Sequence, residues 1–219
     1  MDDESLRDLV RREVGVIAVG LYEGITTGFG NARSSWARLN EPEYRWLLSM
    51  TTRARIRNHW DRNPLGRGWL MAGNAALMGQ TILTSPALKI ALRLLKENTR
   101  VHLGGVPPAG SNQARRLAWA QDPLPDLSLA LNPKVTAQTT ECLLLWNVQW
   151  EDSEPSLSIR VVHTTGPGRY GLRVPIDLSF AIEASGNMFE QLRFPGASQD
   201  ELFFPDIDQK ENEGDASGQ

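Results

Sequence analysis

Apolar residues fall three and four apart from Leu6 through Leu9, Val10, Val14 and Ile17 to Leu21, which predicts an amphipathic helix over residues 6–21. Asp2, Asp3 and Glu4 stand before it, where the positive end of a helix dipole favours carboxylates. Gly24, Gly28 and Gly30 then read as a loop. A second helix is predicted over 41–60, capped by Asn40, with Pro42 in its first turn and Tyr44, Leu47, Leu48 and Ile56 as a partial apolar face. Asn63-Pro64 ends it. Residues 69–83, with Trp69, Leu70, Leu77, Met78 and Ile82, read as a buried helix. Ser85-Pro86 opens a fourth helix carrying Leu88, Ala91, Leu92 and Leu95, and Ser111 caps a short fifth that stops before Asp122-Pro123.

From about residue 134 the period drops to two. Leu144, Trp146, Val148 and Trp150 alternate with Leu143, Leu145, Asn147 and Gln149. Leu157, Ile159, Val161 and His163 alternate with Ser158, Arg160, Val162 and Thr164. Over 172–183, Leu172, Val174, Ile176, Leu178, Phe180 and Ile182 share one face and Arg173, Pro175, Asp177, Ser179 and Glu183 the other. Pro175 places this strand at an edge or a bulge, and Gly166-Pro167-Gly168 is a hairpin turn. Residues 189–194 and 202–204 add short strands. Helices followed by a strand meander predict an α+β fold, with helices packed on one face of a small, mostly antiparallel sheet. The expected organisation is a basic helical part over 1–120, an antiparallel β part of the same globular unit over 121–205, and a disordered acidic tail over 206–219.

Charge sharpens that division. Residues 1–120 carry 17 Lys and Arg against 10 Asp and Glu, whereas 121–219 carry 6 against 16, so a net charge of −3 hides halves of +7 and −10. The basic half points to a polyanionic partner, nucleic acid or an anionic membrane surface. Its richest stretch is 33–69, where eight arginines meet only Glu41, Glu43 and Asp61. The candidate polyanion-binding residues are Arg45, Arg53, Arg55, Arg57, Arg62 and Arg67, with Trp46 and Trp60 interleaved. Guanidinium groups take phosphate oxygens bidentately, and indoles stack on bases or sit at a bilayer interface. The competing reading is a solvated helix face whose tryptophans point inward.

Catalytic motifs contribute nothing positive. Gly166-Pro-Gly-Arg-Tyr-Gly171 fits the spacing of a dinucleotide loop, but strands are predicted on both sides and Pro167 lacks an N–H. Asp206, Asp208 and Lys210 resemble part of a metal-dependent nuclease signature, set in the predicted tail. His59, His102 and His163 have no zinc-ligand spacing, and the single Cys142 precedes an apolar run and reads as a buried small hydrophobe. No cofactor or metal is expected. The acidic N-terminus does not read as a secretory signal, and no apolar run is long enough to cross a bilayer.

One collinear series carries a family resemblance. Leu103-Gly-Gly-Val-Pro-Pro-Ala-Gly110 precedes Asn112, Arg115-Arg116 and Trp119, and is followed by Val148-Gln-Trp-Glu-Asp152 and Leu157-Ser-Ile-Arg-Val161. Over residues 103–162 this resembles the rhabdovirus matrix proteins, particularly the lyssavirus-like branch. The resemblance implies a non-enzymatic virion-assembly protein that self-associates as a homo-oligomer and condenses the viral ribonucleoprotein or RNA. It would bridge that particle to an anionic membrane surface and contact a glycoprotein tail. It would reside in the virion, in the host cytoplasm, at the inner face of the host membrane or in the nucleus. The chain departs from the family in its acidic start and in lacking Pro-Pro-x-Tyr and Pro-Ser/Thr-Ala-Pro motifs; Glu41-Pro-Glu-Tyr44 comes nearest. Two alternatives stand beside this reading. One is a soluble nucleic-acid-binding or regulatory protein with no membrane role. The other is an enzyme whose site is assembled from distant residues, with convergent carboxylates or His163 in a deep pocket.

Overall fold

The computed structural model describes residues 5–36, 44–125, 138–151, 154–184 and 188–190. Among them the chain forms α1 (Leu6–Val16), α2 (Ala18–Trp36), α3 (Arg45–Arg62), β1 (Leu70–Ala72), β2 (Ile82–Ser85), β3 (Ile90–Lys96), α4 (Gln113–Trp119), β4 (Thr140–Glu151), β5 (Glu154–Thr164), β6 (Ile176–Ile182) and β7 (Met188–Glu190). The strands assemble in chain order into one sheet, every neighbouring pair antiparallel except β3 and β4, which are parallel. The architecture is α+β, with N-terminal helices laid on a mostly antiparallel sheet, as the pattern predicts.

The sheet is covered on both faces. On one, Leu92, Leu144, Trp146, Val161 and Phe180 meet Val10, Leu21, Ile25, Ile56 and Trp60 of the first three helices. On the other, Leu143, Leu145 and Val162 meet Val106, Ala109, Trp119 and Val174. The parallel pairing of β3 with β4 demands a crossover connection. That connection carries α4 over the second face and so supplies the second layer.

The predicted helix over 6–21 is two helices. Ser5, rather than the acids before it, caps the first: its Oγ accepts the Asp8 N–H at 3.2 Å. The helix stops at Ile17, whose φ of −102° and ψ of 4° turn the chain into α2. The loop expected at Gly24, Gly28 and Gly30 is instead the middle of α2. Gly20, Gly24 and Gly28 recur every fourth residue and form a stripe against α3. A Cβ on Gly24 would strike the Trp60 indole, and one on Gly28 would lie 2.7 Å from Ile56 N and 2.9 Å from Ile56 Cα. Trp60 Nε1 donates to Gly20 O at 3.0 Å. These glycines each cost the helix about 1 kcal/mol of propensity. The close helix–helix contact they permit offsets it.

The helices predicted over 69–83 and after Ser85-Pro86 are strands β1, β2 and β3. Gly73 and Gly79, at φ of +86° and +69°, turn the chain between β1 and β2. Asn74 stitches that turn, its Oδ1 accepting from Ala76 N and its N–H donating to Gln80 Oε1. β3, Ile-Ala-Leu-Arg-Leu-Leu-Lys, is an inner strand, and a strand covered on both faces shows a near-continuous apolar run that periodicity cannot separate from a buried helix. The fifth helix exists as α4, capped by Asn112 rather than Ser111, with Asn112 Oδ1 accepting the Arg115 N–H at 3.0 Å.

The face predicted for 172–183 is broken at its start. The β5–β6 register shifts between His163 and Thr164, so Thr164 pairs with Ile176 and His163 with Leu178. Beyond the shift, Val174 packs into the second-face core and Leu172 is exposed, while Leu178, Phe180 and Ile182 keep the helix-ward side. Glycines 166, 168 and 171 lie in the β5–β6 connection, and among the described residues no helix follows them. The predicted cap at Asn40 and Pro42, the strand residues 191–194 and 202–204 and the tail 206–219 with Asp206, Asp208 and Lys210 lie outside the described residues. No described helix is long and apolar enough to cross a membrane.

Candidate polyanion-binding site

The arginine–tryptophan run divides when it folds. Arg45 is the first residue of α3. Trp46 is 59% exposed at the start of that helix, whereas Trp60 is 2% exposed and belongs to the core, not to a binding face. Arg55, Arg62 and Arg67 are exposed. Arg57 is spent internally: its Nη1 donates to Ala72 O and to Gln80 O, each at 2.8 Å, and so clamps the β1–β2 hairpin onto α3. Hydrogen bonds from a charged donor contribute about 1.5–3 kcal/mol each. Arg57→Ala is therefore expected to lower stability by about 2–4 kcal/mol, read by urea unfolding, whereas Arg55→Ala should change it by less than about 0.5 kcal/mol.

Arg53 goes elsewhere. It is half-buried on α3, burial alone lowers its pKa from the ordinary guanidinium range, and its Nε has no hydrogen-bond partner among the described residues. Two arginines distant in sequence share its neighbourhood. Arg93 stands on the second face of β3 and Arg115 in α4, and both guanidiniums lie over the ring of buried Trp119, at 5.8 and 4.9 Å from its centroid. Trp119 is fixed by its own Nε1–H to Pro107 O, 3.1 Å. The Arg115 pKa is lowered first by burial and then by the charges of Arg93 and Arg53, which places the three cations in one electrostatic neighbourhood. The Nε atoms of all three are buried without a hydrogen-bond partner among the described residues. Their polar contacts are few: Arg115 Nη2 donates to Pro108 O at 3.3 Å, and Arg93 Nη2 lies 4.0 Å from Glu141 Oε2.

Three like charges held together, half-desolvated and incompletely bonded, are unfavourable until an anion joins them. A phosphate or carboxylate beside the three guanidiniums would offset their mutual repulsion. Exposed Arg55, Arg62, Arg67 and Arg116 extend the field, and among the described residues no ion pair ties these four to an acid. Sequence reasoning singled out Arg53 but missed Arg93, which lay in a segment read as helix. It met Arg115 only as a family motif residue.

Other chemistry-bearing residues sit apart. A shallow cleft of about 360 Å³ between α3 and the β1–β2 hairpin is lined by Arg57, Asn58, Asp61, Met71 and Gly79. His163, 1% exposed, donates from Nδ1 to Asp177 Oδ1 at 2.6 Å. Cys142 pairs with His163 across β4 and β5, and burial, then the charges of Asp177 and Glu141, pushes its thiol far above its ordinary pKa, the reverse of an activated nucleophile. Asp177 also accepts the Leu124 N–H at 2.5 Å and faces Arg7 of α1 at 3.8 Å, so it pins α1 and the crossover to β6.

Burial raises the Asp177 pKa, but the His163 and Leu124 hydrogen bonds and the charges of His163 and Arg7 outweigh it, leaving the group below its ordinary 3.8. A carboxyl depressed in the folded state adds stability above its unfolded pKa and loses it as pH falls through the folded one. Wild type should thus lose Tm more steeply than Asp177→Asn below about pH 4; parallel Tm profiles would contradict this. No protein-family model, curated protein or solved structure matches this chain.

Proposed function

We propose that this chain is a non-enzymatic structural and interaction protein that binds polyanions through guanidinium groups. The observation that carries the reading is the stacking of Arg93 and Arg115 on buried Trp119, with the charge of half-buried Arg53 acting on Arg115. In its fuller, matrix-like form, the protein self-associates and joins ribonucleoprotein to an anionic membrane during virion assembly. The support for that form is the motif series over 103–162, whose Arg115 and Trp119 are members of the arginine site. Exposed Trp46 favours the alternative, a soluble nucleic-acid-binding protein, because an exposed indole offers a stacking platform for bases.

Flotation with anionic vesicles, with and without single-stranded RNA, separates the two forms. The matrix-like form predicts RNA carried to the vesicles only when protein is present, and loss of that bridge as salt rises. RNA binding without flotation selects the soluble alternative. Binding to neither at low ionic strength contradicts both.

A further inference from the structure

We propose that the loops spanning 98–105 and 165–175 form a single tip that inserts into the interface of an anionic lipid bilayer. Four of its residues expose apolar surface: Val101 is 49% exposed, Leu103 56%, Tyr170 79% and Leu172 60%. Both sheet faces are already covered by other side chains, so these residues have no core to join. The two loops are held together as one surface. His102 and Tyr170 meet edge to face with ring centroids 6.3 Å apart, and Ala109 N donates to Pro167 O at 2.9 Å. A Cβ on Gly104 would lie 3.2 Å from Arg173 Nε.

The tip's charge selects its partner. Arg100, Arg169 and Arg173 are exposed around the apolar residues, and neither 98–109 nor 165–176 contains an Asp or Glu, within a chain of net charge −3. The acid that opens the first loop, Glu97, is buried against Arg160, which also donates to Gly104 O and so fixes the loop from beneath. Aliphatic side chains and a tyrosine at the tip, ringed by arginines, match acyl chains beneath anionic headgroups. Tyrosine suits the boundary, with an apolar ring and a polar end. A soluble polyanion would leave the four apolar groups in water, so the tip is assigned to lipid.

This deepens the membrane arm of the proposed function and rests on its premise that the chain meets anionic surfaces. Its test uses the full chain with vesicles of phosphatidylcholine alone or containing phosphatidylserine, and with soluble single-stranded RNA. Leu103→Ser/Leu172→Ser should weaken binding to phosphatidylserine vesicles at least tenfold and leave RNA binding within twofold. Arg169→Gln/Arg173→Gln should weaken vesicle binding tenfold and flatten its salt dependence. A dye placed at Leu172→Cys reads insertion directly, since the one native cysteine, Cys142, is buried. Its emission should shift to the blue on phosphatidylserine vesicles and be quenched by spin-labelled acyl chains. Unchanged emission, or vesicle binding indifferent to the serine pair, overturns the tip while leaving RNA binding intact. Failure of RNA binding with insertion preserved would overturn the ribonucleoprotein arm alone.

Discussion

Gly28→Ala is expected to destabilise the protein by about 2 kcal/mol or more, although alanine is the better helix former by about 1 kcal/mol. The sign turns on what the added methyl meets. In α2 it would lie 2.7 Å from Ile56 N and 2.9 Å from Ile56 Cα, which are backbone atoms of α3 and cannot swing aside like a side-chain end. Relief requires the helices to separate, and that withdraws Trp60 from its bond to Gly20 O and opens the packing around Ile25 and Ile56. Overpacking of a closed core costs about 1–3 kcal/mol, and more when backbone must move. Gly30 is the internal control: a Cβ there meets nothing within 4 Å, so Gly30→Ala should stabilise by up to about 1 kcal/mol. Urea midpoints of the two variants would decide. A gain at Gly28 would mean that the glycine stripe does not set the α2–α3 distance.

Glu97→Ala is expected to cost about 3–5 kcal/mol, the range for removing one partner of a buried ion pair. Glu97 and Arg160 have side chains 7% and 7% exposed, and Arg160 Nη2 lies 2.6 Å from Glu97 Oε1, although the N–H is not aligned on that oxygen. Arg160 further donates to Gly104 O and, at 3.4 Å, to Ser179 Oγ. Alanine leaves the guanidinium buried without its carboxylate. Replacing both residues with apolar groups, Glu97→Leu/Arg160→Met, removes the orphaned charge and should recover much of the loss. Thermal unfolding of the two singles and the double gives the coupling directly. A Glu97→Ala loss under 1 kcal/mol would mean that water already reaches the pair.

These two sites also mark where the chain's pattern is legible. Strands β4, β5 and most of β6 follow from period-two alternation. Helices α1, α3 and α4 lie within the predicted helical stretches, although Ser5 and Asn112 cap α1 and α4 in place of the residues the pattern offers. The middle of α2 does not, because glycine is read locally as a breaker, and only the facing helix shows that every fourth position must lack a Cβ. β3 does not, because a strand covered on both faces shows no alternation. The register shift at His163 moved Val174 to the second face, which no single-strand pattern can reveal. The candidate site inherits these gaps. The arginine excess over 33–69 is plain from charge, but Arg57 is engaged by carbonyls of a hairpin that the pattern reads as helix, and Trp60 is claimed by the glycine stripe. Arg93 joins Arg53 only through the fold.

Arg53 isolates the central claim because its side chain makes no hydrogen bond among the described residues. It is half-buried, its Nε has no partner, and its charge acts on Arg115. Loss of one charge-assisted contact to phosphate should weaken binding roughly tenfold. The direct measurement is the Kd for a fluorescent single-stranded RNA across a salt series, with Tm recorded alongside, for wild type, Arg53→Gln and Arg93→Gln/Arg115→Gln. The account predicts about tenfold weaker binding for Arg53→Gln with Tm unchanged or raised, a larger loss for the double variant, and shallower salt slopes for both. Undiminished RNA binding by both variants, or a fall in Tm for Arg53→Gln without a change in Kd, would contradict it.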